Sequence, residues 1–442
     1  MTRTVKKLVI MGAAGRDFHN FNVCYRNDPH VKVVAFTATQ IPSIINRIYP
    51  PELAGWLYPE GILIRAEEEL PHIIKERSID EVVFAYSDVS HEYVMHRASL
   101  CLSLGSSFVL LGPKAAMLES KRPVISITAV RTGSGKSSVA KKITLLLKDA
   151  DKKAAVIRHP MPYGDLVKGR VQRFSCFEDL KKYDCTIEEM EEYWPHIEAG
   201  LVVYAGVDYE AVLAMAEDEA DIIVWDGGNN DFSFIRPDLE IVVADPLRPG
   251  HELLYHPGET NLRRAHIVII NKVDSAAPSD IETVKRNIKG LNPSARIIET
   301  RSIITVDNPQ RLIGKKALVI EDGPTLTHGG MGFGAGIKAA GLFGAVPVDP
   351  RPFAVGSIKE TLERYTELKT LVPAMGYSKA QIKDLEETIN SAGCDIVLSA
   401  TTVDLEEIIK VKKPVIRVSY DVEETEGPGF KGLVSEFILR CP

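Results

Sequence analysis

At 442 residues the chain exceeds one ordinary domain, and two or three are expected. An apolar share of 45%, a charged share of 26% and a formal net charge of −7 describe a globular protein and argue against bulk nucleic-acid binding. No apolar run approaches the ~20 residues that span a bilayer. The opening MTRTVKK carries no signal-peptide pattern, and the six cysteines form no CxxC pair. These features point to a reducing cytoplasm, with neither nucleic acid nor membrane as partner.

Short β-branched runs alternate with helical stretches along the chain, the pattern of parallel α/β sheets. Strands are predicted at 7–11, 31–36, 81–85 and 108–111, with helices over 66–76 and 91–104 between them. They make a Rossmann-like N-terminal domain over 1–121. A P-loop NTPase domain with a mostly parallel sheet follows over 122–314, with strands at 123–128, 154–157, 222–225, 239–243 and 267–270. Residues 176–198 read as an acidic helical insertion or connecting helix pair. A small C-terminal α/β segment with a glycine-rich loop occupies 315–442.

The strand ending at Thr128 runs into RTGSGKS (131–137), and 136–147 then has helical periodicity. Strand, glycine-rich loop and helix are the context that a phosphate-binding loop requires. Gly133 and Gly135 let backbone N–H groups curl around phosphate oxygens, beside the positive end of the helix. Thr132, Ser134 and Ser138 complete the expected nucleotide contacts. Lys136 is expected to reach the β- and γ-phosphates, and the Ser137 hydroxyl to ligate Mg²⁺. Val130 replaces the usual first glycine. Arg131 stands where the deviant loops of the SIMIBI class carry a second lysine; it either reaches the phosphates, across a homodimer interface in one version, or lies in solvent.

The run 221–226 delivers Asp226 into a Gly-Gly turn, as a magnesium-shell aspartate requires. Asp231, just beyond, suits a turn or helix cap better than a base. The strand at 267–270 ends in Asn271, Lys272 and Asp274, spaced as in the NKxD motif of guanine-binding proteins. A carboxylate at Asp274 favours guanine, and hence GTP.

The runs 11–20 (MGAAGRDFHN), 132–137 (TGSGKS), 158–164 (RHPMPYG) and 321–330 (EDGPTLTHGG) resemble the archaeal cyclic 2,3-diphosphoglycerate synthetase family, whose members are also described as GTPases. The resemblance covers most of the chain. It implies ATP-dependent closure of an intramolecular phosphoanhydride in 2,3-diphosphoglycerate, a ligase reaction needing Mg²⁺.

Such a substrate carries about four to five negative charges near neutral pH, so its site must be rich in cations and backbone N–H groups. Arg158 and His159 at a strand end, Arg248 between prolines, and His328, Gly329 and Gly330 in the glycine-dense run are the candidates. Lys136, Asp226, Arg158 and His159 are the expected catalytic group. His251 and His256 lack metal-ligand spacing on one helical face. A rival reading is a SIMIBI-type GTPase acting as a switch or as a metal- or cofactor-loading chaperone. The loop at 12–17 echoes a dinucleotide fingerprint without its full spacing.

Overall fold

The fold is taken from a computed structural model, which describes residues 5–13, 15–39, 44–159, 161, 164–323, 326, 332–374, 378–427 and 429–441. The N-terminal region builds a six-stranded sheet. Its order is Ile48–Tyr49, Ile62–Ala66, Val31–Ala38, Lys6–Met11, Glu81–Phe84 and Ser107–Leu110, parallel except for the first, antiparallel pair. Successive side chains of a strand point to opposite faces. In Lys6–Met11, Leu8 and Ile10 therefore pack with Phe18 and Phe36, while Val9 and Met11 pack with Ile73 and Val94 on the other face. Burial on both faces is why this strand reads as a continuous apolar run.

A 13-stranded sheet carries the rest of the chain. Its fully buried strand Val124–Ala129 lies between Ile222–Asp226 and Leu239–Ala244, all parallel. Ala154–Arg158 flanks Ile222–Asp226 on one side, and Ile267–Ile270 follows Leu239–Ala244 on the other. The long strand Arg296–Val306 begins parallel to Ile267–Ile270 and ends antiparallel to Val415–Glu424. That second pairing carries the sheet through Ile396–Ser399 to Lys316–Asp322. The expected boundary at 314/315 lies in the turn between Arg296–Val306 and Lys316–Asp322, two strands of this one sheet. The last helix, Gly429–Arg440, returns to pack Phe430, Leu433 and Phe437 against Val139, Ile143 and Leu147.

The helix pair expected over 176–198 is present as Phe177–Lys182 and Ile187–Glu198. The strands Ile62–Ala66, Val171–Phe174, Val202–Gly206, Arg296–Val306 and Leu371–Ala374 come in addition to the expected ones. A two-stranded ribbon, Val89–Ser90 against Tyr255–His256, joins the N-terminal unit to the P-loop unit. Among the described residues no helix is long and apolar enough to cross a membrane.

Candidate active site

The buried strand Val124–Ala129 feeds the loop, and the helix Lys136–Asp149 starts at the expected lysine. Gly133 and Gly135 hold φ of +79° and +100°, values that side chains disfavour. A Cβ on Gly135 would also lie 2.1 Å from Asn271 Nδ2. The loop carbonyls are gripped from outside. Asn271 Nδ2 donates to Ser134 O at 3.0 Å, Lys272 Nζ to Gly133 O at 2.5 Å and Arg248 Nη2 to Thr132 O at 2.8 Å. Asp245 holds both cations in turn, 2.8 Å from Arg248 and 3.3 Å from Lys272. These grips hold the loop from its carbonyl side, while two of its N–H groups are taken within the protein, Thr132 N–H by Asp88 Oδ2 at 3.3 Å and Ser134 N–H by Arg131 O at 3.4 Å.

Sheet register brings the next group together. Asp226 pairs with Ile127 of the loop strand and with Arg158 of the strand beyond. The buried Asp226 carboxylate receives Lys136 Nζ at 2.6 Å, His196 Nε2 at 3.0 Å and an ion pair from Arg158 Nη1. Burial alone would raise this carboxyl, but Arg158, Lys136 and His196 outweigh it and hold it well below the usual range. Burial lowers Lys136 to about 8 even though Asp226 acts to raise it. Arg158, 1% exposed, is also paired with Glu192 and donates from Nη1 to Ser137 Oγ at 3.4 Å. His159 packs on Gly228, where a Cβ would meet the imidazole at 2.3 Å. Burial first, then Arg158 and Lys136, keep this imidazole neutral.

Glu192 and His196 carry no motif that singles them out in the sequence. They sit four residues apart on Ile187–Glu198 and share a face of that helix. The acidic, helical character of 176–198 is legible from residue spacing, but its destination against Asp226 and Arg158 is not.

The P-loop opens onto a cleft of about 1020 Å³. One wall is Gly133, Gly135, Lys136, Ser137, Ser138, Asn271 and Lys272; the facing wall includes Glu321, Asp322, Lys338, Tyr420 and Asp421. Glu321, 2% exposed, accepts the Gly334 N–H at 3.1 Å and the Ile337 N–H at 2.9 Å at the start of the helix Ala335–Leu342. Burial pushes its carboxyl up to about 7, against the pull of those N–H groups. This carboxylate wall is the second feature that sequence reasoning misses.

Other expected residues lie elsewhere. Arg131 is buried and faces the N-terminal unit: Nε meets Asp88 Oδ1 at 2.6 Å and the guanidinium lies 3.6 Å from the Tyr255 ring centroid. It is thus neither a solvated arginine nor among the residues lining the cleft. Thr132 Oγ1 donates to Asn229 Oδ1 at 3.2 Å. Asp231 pairs with Arg16 at 3.0 Å, a contact between units. Arg16 therefore binds within the protein, and the 12–17 loop has Asp17 Oδ1 accepting from Gly15 N at 3.1 Å. Asp274 is exposed, its carboxylate taking the Ser302 N–H at 2.9 Å and the Ser275 hydroxyl at 2.8 Å. His328, Gly329 and Gly330 fall outside the described residues.

No family model matches the chain. Among solved structures it is similar to LpxK from Aquifex aeolicus at 14% identity, covering 78% of this chain and 95% of that one with a TM-score of 0.44. It is also similar to the hydrogenase maturation factor HypB from Archaeoglobus fulgidus at 15% identity, covering 47% and 87% with a TM-score of 0.22. A protein of Thermococcus kodakarensis named arginine synthetase ArcE is 60% identical over 437 residues, 99% of this chain and 98% of that one. That name differs from the cyclic-anhydride synthetase that the sequence resemblance implies. At such identity and coverage, the chain belongs to the family of arginine synthetase ArcE.

Proposed function

We propose that the chain is a nucleotide-driven synthetase that forms arginine, with ATP or GTP bound at the P-loop. The observation that carries this reading is the cleft with the phosphate-binding loop on one wall and Glu321 and Asp322 on the other. Carboxylates suit a ureido or guanidinium terminus, which offers several N–H donors in a plane.

In the chemistry we propose, the oxygen of a ureido amino acid attacks the γ-phosphorus in line. The bond from γ-phosphorus to the bridging oxygen breaks, the nucleoside diphosphate leaves, and an O-phosphorylated isourea forms. Ammonia then attacks the central carbon, the C–O bond breaks, and phosphate departs. Lys136 and Arg158 offset the charge that spreads over the transferred group. The planar positive charge that develops lies toward Glu321 and Asp322. Glu321, at about 7, is poised to accept a proton from the incoming amine.

Ser137 and Asp226 both contact Arg158 Nη1, so two oxygen donors suited to a hard divalent cation converge at one point. Mg²⁺ held by them would neutralise the β- and γ-phosphate oxygens. Asn271 and Lys272 serve as braces of the loop. The base stays open, since the Asp274 carboxylate already has two donors.

Closure of a cyclic phosphoanhydride in 2,3-diphosphoglycerate is the second reading, supported by the sequence resemblance and by Arg158. An acceptor with about four to five negative charges would face Glu321, Asp322 and Asp421 with Lys338 beside them, a balance that disfavours it. A GTP-driven switch or metal-loading chaperone ranks third; among the described residues no group of His, Cys, Asp and Glu is arranged to hold a metal.

The test is to incubate the protein with Mg-ATP or Mg-GTP, ammonium and the ureido amino acid bearing oxygen where arginine bears its terminal nitrogen. Arginine formed in step with nucleoside diphosphate and phosphate is expected. Turnover that ignores that acceptor but rises with 2,3-diphosphoglycerate would move the assignment to the second reading.

A further inference from the structure

The helix Ile187–Glu198 begins with a capping box: Thr186 Oγ1 accepts the Glu189 N–H at 3.2 Å, and Glu189 Oε2 accepts the Thr186 N–H at 2.7 Å. Its first residue, Ile187, is buried in the apolar core of the C-terminal segment, the cluster that includes Leu318 and Val397. From that anchor the helix reaches both halves of the cleft. Glu191 is held by the C-terminal segment: Thr401 Oγ1 bonds its carboxylate, and Thr402 Oγ1 donates to its carbonyl at 2.8 Å. Glu192, the next residue, pairs with Arg158, and His196 one turn on meets Asp226 at 3.0 Å.

Asp226 is shared among three donors, Lys136, Arg158 and His196. Whatever draws that carboxylate toward a bound metal, or draws its cations toward a phosphate, loosens its hold on Arg158. Glu192 is the second carboxylate on the same guanidinium and does not depend on Asp226. Thr401 and Thr402 follow Ala400, which lines the cleft, and the strand Ile396–Ser399 pairs with the strand that ends in Glu321 and Asp322.

We infer that Glu192 is the positioning residue for Arg158, and that Glu191 makes this position answer to the acceptor-binding segment through Thr401 and Thr402. The inference rests on the reading of Arg158 as a group facing the transferred phosphoryl. It extends that reading by a route from one substrate to the other: a shift of the acceptor wall moves Thr401 and Thr402, the helix follows, and Arg158 follows Glu192. The nucleotide is then turned over fast only when the acceptor is seated.

The experiment is a double-mutant cycle on the full chain, comparing Glu192→Gln, Arg158→Ala and the pair, with kcat and nucleotide KM measured in the presence of the ureido amino acid. Glu192→Gln is expected to lower kcat about tenfold while nucleotide KM stays within about twofold, and the double variant to fall no lower than Arg158→Ala alone. A purely structural role would give additive losses and overturn the inference. If Arg158→Ala turns over normally, the nucleotide-site reading itself fails. If Arg158→Ala is impaired and Glu192→Gln is not, only the positioning role fails. Should Glu192→Gln not fold, Glu192→Asp, which keeps the charge on a shorter stem, carries the same comparison.

Thr402→Val tests the second link. Basal triphosphate hydrolysis is expected to stay unchanged while its stimulation by the ureido amino acid drops about threefold or more. Full stimulation in Thr402→Val would overturn the coupling.

Discussion

Lys136 Nζ lies 2.6 Å from Asp226 Oδ1, both groups buried in the sheet-loop junction. The residue we propose to meet the β- and γ-phosphates and the residue we propose to meet the metal thus neutralise each other. Nucleotide binding must exchange this ion pair for new partners on both sides. Lys136→Ala is expected to lower triphosphate turnover by about a thousandfold or more, because it removes the cation at the head of the loop helix. A steady-state assay of diphosphate release checks it, and retained turnover would remove the central reading of the loop.

Gly135 combines a φ of +100° with the close approach of Asn271 Nδ2. Gly135→Ala forces either the loop or the Asn271 bridge to give way. A stability loss of about 1–3 kcal/mol is expected from the strained backbone, with nucleotide affinity down by about tenfold or more. Thermal melts and titration with a fluorescent nucleotide would separate the two effects. Unchanged affinity would mean that the loop is not what binds the phosphates.

Glu321 supplies a pH signature. Its folded-state carboxyl is raised by burial to about 7 from an ordinary value of 4.5. A raised carboxyl stabilises the fold fully below the ordinary value and loses that contribution as pH climbs through about 7. Binding of a guanidinium has the opposite sign, since it needs the ionised form. Arginine affinity is therefore expected to rise with pH up to about 7 and then level, with about one proton released per arginine bound at pH 6. Glu321→Gln should flatten both the affinity and the stability profile. Calorimetry in buffers of different ionisation heat reads the proton directly, and a flat wild-type profile would exclude Glu321 from the acceptor site.

Arg131 and Asp88 form a buried pair between the P-loop and the N-terminal unit. Asp88→Ala leaves the guanidinium without its carboxylate and is expected to cost about 3–5 kcal/mol in chemical denaturation. Arg131→Met, which keeps the bulk over Tyr255, should leave nucleotide affinity within about threefold because the side chain faces away from the cleft. A large loss of affinity with intact folding would instead return Arg131 to the phosphates.

Much of the nucleotide half is legible in the sequence. A phosphate grip is built from contiguous backbone, so 131–137 and its flanking strand and helix declare themselves locally. Asp226 and Asn271 end apolar strands, and the parallel register does the rest. The proposed acceptor half is not legible in this way. A polyanionic substrate, implied by the family resemblance, calls for several cations, whereas the described wall facing the P-loop holds Glu321, Asp322 and Asp421 beside Lys338.

Local sequence determined where the phosphate loop and the core strands and helices around it lie, because those depend on neighbours a few residues apart. Only the tertiary structure decided which charges meet. Arg131 finds Asp88 43 residues away, Lys136 finds Asp226 90 residues away, and Thr401 finds Glu191 210 residues away. A buried charge takes the partner that the fold brings within reach, and nothing in the local pattern of residues names that partner.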